Sequence, residues 1–85
     1  MKDKFNSITS LLLDDYNVFI DDVFIDKNEG KEVLNVVVDS EEVIDLNKIT
    51  DVSRIINKYI DDNLDIDVYE VDIYSKEKGD SSNEW

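Results

Sequence analysis

Carboxylates are the side chains through which this chain could do chemistry, and they alternate most densely in Asp61-Asp62-Asn63-Leu64-Asp65-Ile66-Asp67. Oxygen ligands at alternate positions are what a calcium loop offers. Counting Asp61 as the first position, the sixth is Ile66, where the sharp turn of an EF-hand loop requires glycine. The twelfth is Asp72, one methylene shorter than the bidentate glutamate such loops use. The pattern fails as a calcium loop and reads as a solvated turn running into a strand. Paired carboxylates also perform acid–base chemistry, but only where burial in a cleft raises the pKa of one of them. A chain of 85 residues buries only about 60% of the surface its unfolded form exposes, which leaves no depth for such a cleft. There is no histidine and no cysteine, so the usual nucleophile–base pairs, a thiolate metal site and a disulfide are all excluded. Gly30 and Gly79 are the only glycines, too few for a phosphate-cradling loop or a Gly-x-x-Gly clamp on single-stranded RNA. No catalytic residue, cofactor or metal is expected, and the chain reads as a non-enzyme.

What remains is charge. Twenty-two Asp and Glu face nine Lys and Arg, a net of −13. Direct contact with a phosphate backbone needs clustered cations, and this chain has no such cluster. An acidic surface attracts basic proteins and accelerates their encounter; it also serves solubility alone, and composition does not separate the two. The absence of cysteine suits a reducing compartment. Leu11-Leu12-Leu13 is far shorter than the apolar core of a secretory leader, and no run approaches the length of a membrane span. A cytoplasmic location and no membrane contact are expected.

These carboxylates must be held by regular structure, which the chain can supply because no proline interrupts it. Phe5, Ile8, Leu11, Leu12 and Asp15 recur at spacings of three and four, predicting a helix over Lys2 to Asp15 with the left-handed stop at Asn17. Asp14 and Asp15 oppose the helix dipole there and predict a frayed end. Val18 to Asp26 predicts a strand whose apolar phase switches from Val18 and Ile20 to Val23 and Ile25, as a β-bulge at Asp21-Asp22 would produce. Lys27-Asn28-Glu29-Gly30 predicts a type I turn closed by a glycine at positive φ. Glu32 to Asp39 completes a hairpin, with Leu34, Val36 and Val38 on one face and Val33, Asn35 and Val37 on the other. Ser40 to Ile44 reads as a loop. Asp45 caps a second helix, without a capping box because Lys48 takes the third helical position. Leu46, Ile49, Val52, Ile56, Tyr59 and Ile60 form its apolar stripe, and Asn63 reads as its C-cap. Asp65 to Tyr74 is the last strand, with Ile66 and Val68 out of phase with Val71 and Ile73. The tyrosines read as core-edge residues with their hydroxyls in water. The fold class expected is α+β, in the order α-β-β-α-β: one three-stranded mixed sheet with both helices on one face. Residues 1–75 form the domain, and 76–85, including Trp85, are expected to be a disordered polar tail.

Several stretches in this order carry a family resemblance. Leu34-Asn35-Val36-Val37-Val38-Asp39 is a strand ending in aspartate. Ile44-Asp45-Leu46 leads to Val52-Ser53-Arg54-Ile55-Ile56 and Tyr59-Ile60-Asp61. Tyr69-Glu70-Val71-Asp72-Ile73 is followed by Ser75, and Ile20, Asp22 and Val23 stand upstream. Together, over about residues 5 to 76, they resemble the N-terminal domain of the RimP ribosome maturation factors. The family's strand leads into a serine-proline-glycine linker and a small β-barrel domain, whereas here Ser75 is followed by Lys76-Glu77-Lys78-Gly79. Contacts made through that second domain are therefore not carried over.

The resemblance implies an accessory factor that assists assembly of the small ribosomal subunit, with a basic ribosomal protein as the natural partner. The acidic balance fits that partner independently. Two alternatives stay open: an acidic mimic of nucleic acid that blocks a DNA- or RNA-binding protein, and an acidic domain that works only within a larger oligomer. The oligomeric state is open. The candidate partner-binding residues are Asp21, Asp22, Glu41, Glu42 and Asp45, at or near strand ends and in the loop before the second helix. Each could instead be simply solvated, and Asp45 could serve only as a cap.

Overall fold

The computed structural model describes residues 2–76. A 3-10 turn over Lys2–Phe5 opens α1, Asn6–Tyr16; then come β1, Phe19–Asn28, β2, Lys31–Asp39, α2, Leu46–Asn63, and β3, Glu70–Ser75. The strands form one sheet in the order β1-β2-β3. The β1–β2 pair is antiparallel and the β2–β3 pair parallel, so the sheet is mixed and the fold is α+β with both helices on one face, as expected. Apart from Lys76, the stretch 76–85 expected to be a polar tail lies outside the described residues.

The central place of β2 follows from its sequence. Val33-Leu34-Asn35-Val36-Val37-Val38 is almost continuously apolar and β-branched, suited to a strand paired on both edges and buried on both faces. Residues 34–38 are all buried. Leu34, Val36 and Val38 join Val18, Ile20 and Val23 beneath the helices, which contribute Ile8 and Leu12 from α1 and Ile49, Val52, Ile56 and Ile60 from α2. Phe5 plugs the layer's end, fully buried, with Tyr59 tilted against it at 5.8 Å between ring centroids. Burying one such side chain contributes roughly 1.5–3 kcal/mol.

The bulge lies where the phase switch in β1 requires it. Ile20 pairs with Val38 and Asp22 with Val37, so Asp21 is the extra residue. It turns Val23 to the same side as Val18 and Ile20, and the Asp22 carboxylate accepts the Val23 N–H at 2.9 Å.

Several local expectations need correction. Asn17 does take the left-handed conformation, but α1 is closed there and not frayed: the Asn17 N–H donates to the Leu13 carbonyl and the Val18 N–H to the Leu12 carbonyl. The hairpin turn is not a type I turn with one glycine. Glu29 and Gly30 both have positive φ, at 54° and 80°, the two-residue primed arrangement whose twist matches the strands. Asn63 is the last residue of α2 and not its left-handed cap. Leu64 follows in extended conformation, its N–H held by the Ile60 carbonyl, while the Asn63 amide donates to the Tyr59 carbonyl. β3 begins at Glu70 and not near Asp65, because the out-of-phase Ile66 and Val68 pack on the core from an irregular segment. Leu11, Ile25 and Leu46, expected on apolar stripes, are exposed. Ile25 lies on the hairpin arm toward its turn, and Leu46 is the first residue of α2.

Candidate protein-binding surface

β1 runs antiparallel to β2, and β3 runs parallel to it, so the start of β1 and the ends of β2 and β3 share one end of the sheet. The extra residue of the bulge puts Asp21 at that end, where its carboxylate stands 3.8 Å from the Lys76 ammonium. Asp22 is beside it, exposed, yet tied to the Val23 N–H. The Asp39 carboxylate accepts the Ser40 N–H at 2.8 Å, and the Ser40 hydroxyl donates to the Asn17 carbonyl at 2.6 Å. These bonds fix the loop that carries Glu41 and Glu42, both exposed. The Ser40 hydroxyl also accepts the Glu42 N–H. Asp45 accepts the Lys48 N–H at 2.8 Å, so its carboxylate closes the N-terminus of α2. The structure thus gathers Asp21, Asp22, Glu41 and Glu42 at one end of the sheet and gives Asp45 a structural task at the head of the helix that follows.

The second concentration of carboxylates was not singled out from the sequence. Alternation along the paired strands puts Asp22, Phe24 and Asp26 of β1, Val33, Asn35, Val37 and Asp39 of β2, and Glu70, Asp72 and Tyr74 of β3 on the face opposite the helices. Val37 is 8% exposed but takes no part in the core beneath the helices, which marks it as belonging to this other face. The signal was present in part: Glu70-Val71-Asp72-Ile73-Tyr74 alternates with period two, whereas in β1 Asp22 and Asp26 flank the continuous apolar run Val23-Phe24-Ile25.

The tyrosine hydroxyls are not all in water. The Tyr59 hydroxyl donates to the Lys4 carbonyl at 2.8 Å, and the Tyr74 hydroxyl donates to Asn35 Oδ1 at 3.4 Å. Burial, followed by the carboxylates of Asp72, Asp22 and Asp26, pushes the Tyr74 phenol above its ordinary value. A tyrosine on one edge strand therefore lies within the field of aspartates on the other. Surface cations offset little of it. Arg54–Asp51 and Lys58–Asp62 are exposed pairs along α2, at 3.4 and 3.0 Å, of the kind that contributes little to stability.

No group of three or more carboxylates among the described residues is arranged to hold a metal ion, and no described helix is long and apolar enough to cross a membrane. The arrangement is that of a two-layer domain with a carboxylate-rich surface. The sequence profile of the RimP N-terminal domain matches residues 9–76, and the chain belongs to that family. Its role is in general that of a ribosome maturation factor. No curated protein and no solved structure matches the chain.

Proposed function

We propose that the chain is a non-catalytic binding domain that assists assembly of the small ribosomal subunit in the cytoplasm, using its acidic surface to bind a basic ribosomal protein. Residues 1–75 are the binding unit, and Asp21, Asp22, Glu41 and Glu42 at the sheet end are its candidate contacts. Asp45 is retained as a contact only in addition to its cap. The observation that carries this reading is the surplus of carboxylates on a chain of the RimP N-terminal family: nine cations cannot pair one-to-one with twenty-two anions. The surplus is displayed on a sheet face and a sheet end that no described element covers. Such a surface steers a cationic partner and repels a bare phosphate backbone.

Affinity capture from cell lysate tests it. The tagged chain should retain a basic protein of the small ribosomal subunit, or immature small subunits, and lose it when salt is raised. Retention of a nuclease or a repressor instead would replace the reading with nucleic-acid mimicry. Substrate turnover by the purified chain would end it.

A further inference from the structure

Asn35 and Val37 are each 8% exposed on a sheet face against which neither α1 nor α2 packs. Their cover comes from the flanking strands in the same face. Asp22 and Tyr74 stand opposite Val37 on its two sides, and Phe24 and Asp72 stand opposite Asn35. Phe24 is itself open to solvent, as is Phe19, opposite Asp39 at the end of the same face. Within β1, Phe24 has Asp22 and Asp26 as its same-face neighbours, each about 7 Å along the strand. The Tyr74 ring lies across the strand between them, its hydroxyl on Asn35. The cations at the two ends are already engaged: the Lys31 ammonium sits 4.5 Å from the Tyr69 ring centre and Lys76 faces Asp21. The face is therefore aromatic rings set among carboxylates, with its own cations drawn aside.

We propose that this sheet face, opposite α1 and α2, is the docking surface of the domain, and that it takes an arginine-bearing segment of the basic partner, with guanidinium groups stacked on Phe24 and forked to Asp22, Asp26 and Asp72. The proposal rests on the reading of the domain as a binder of a basic protein and fixes where and by what chemistry that partner is held. Charge complementarity selects the occupant. A second copy of this chain would bring another −13 against the same carboxylates, and a phosphate backbone would meet them without counterions to release. Arginine is favoured over lysine because a planar guanidinium lies flat on a ring while its edge donates two parallel hydrogen bonds to a carboxylate; an ammonium does one or the other.

The test is an NMR titration of the 15N-labelled full chain with nona-arginine and, separately, nona-lysine. The expected result has three parts. Amides of residues 22–26, 33–37 and 70–74 shift more than those of the helices. Nona-arginine binds about threefold or more tightly than nona-lysine, the size of an exposed cation–π contribution. The Asp26→Asn, Asp72→Asn double variant weakens nona-arginine about fivefold, against about twofold or less for Asp14→Asn, Asp15→Asn, which removes the same charge from α1. Phe24→Leu keeps apolar bulk and should abolish the preference for arginine, which keeps the test decisive if the double variant fails to fold. Equal affinity for the two peptides, shifts confined to the helical face, shifts of the sheet face on concentrating the chain alone, or equal losses from the two double variants would each overturn the assignment. The capture experiment reads the identity of the partner and not the face used, so a ribosomal partner captured by a chain whose sheet face ignores nona-arginine would sink this inference alone.

Discussion

Tyr74 shows how a residue's surroundings, and not its type, set its role. The sequence marks it as one aromatic among four tyrosines, at the end of an alternating strand. Only the register of β3 against β2 places it over Val37, within the field of Asp22 and Asp26 two strands away. Its pKa is raised chiefly by burial and then by these carboxylates, so the folded state holds the phenolic proton more tightly than the unfolded chain. Stability from this group is accordingly full below about pH 10, the unfolded value, and is lost as pH rises through the folded value. Ultraviolet titration of the phenolates should show a step above the ordinary tyrosine range that Tyr74→Phe removes. A high-pH step that survives unchanged in Tyr74→Phe, or is missing from the wild type, would show that Tyr74 does not feel this field. Leu11, Ile25 and Leu46 teach the complementary lesson. Their spacing put them on apolar stripes, yet all three are exposed, Ile25 on the hairpin arm toward its turn and Leu46 at the first residue of α2.

At the scale of elements, the sequence reads well wherever a pattern has one physical cause. The slip of apolar phase in β1 has one remedy, an extra residue, and Asp21 is that residue. Asp45 before an amphipathic run has one task, and it accepts the Lys48 N–H. Patterns with competing causes read poorly. Asn63 could have ended α2 in the left-handed region, but its amide caps the Tyr59 carbonyl from inside the helix and the chain leaves extended at Leu64. The hairpin turn is the plainest case. Glycine at its end was legible, but positive φ at Glu29 was not, because glutamate is no signal for it. A side chain there opposes the left-handed region by roughly 1–2 kcal/mol. Glu29→Asn supplies the residue that such two-residue turns favour. It should stabilise the domain by about 0.5–1 kcal/mol, measured as a rise of about 2–8 °C in Tm. An unchanged or lowered Tm would mean that the Glu29 carboxylate contributes something that offsets its backbone strain.

At the scale of the whole molecule, the described residues form a sheet with one layer of helices, and the principal-axis extents of 35 × 35 × 19 Å fit two layers. A body of that shape hides one sheet face and leaves the other to its own side chains. The fold class, the strand order in the chain and the central buried strand were legible because hydrophobic periodicity dictates them. The candidate contacts were only partly legible. Asp21, Asp22, Glu41 and Glu42 were found from strand ends, and the structure places them at one end of the sheet. Asp26, Asp39, Glu70 and Asp72 needed the pairing register before they could be seen to share a face with Phe24 and Tyr74. Net charge says which sign of partner a surface would attract but not where, which is why register adds what composition lacks.

The central claim is that this domain acts by electrostatic attraction to a cationic protein. The most direct measurement is the affinity for the captured ribosomal protein at ionic strengths of about 10 mM and about 150 mM, across which the screening length contracts from about 30 Å to about 8 Å. Affinity should fall about tenfold or more over that interval, chiefly through slower association. An affinity that stays the same at both salt concentrations would contradict the account.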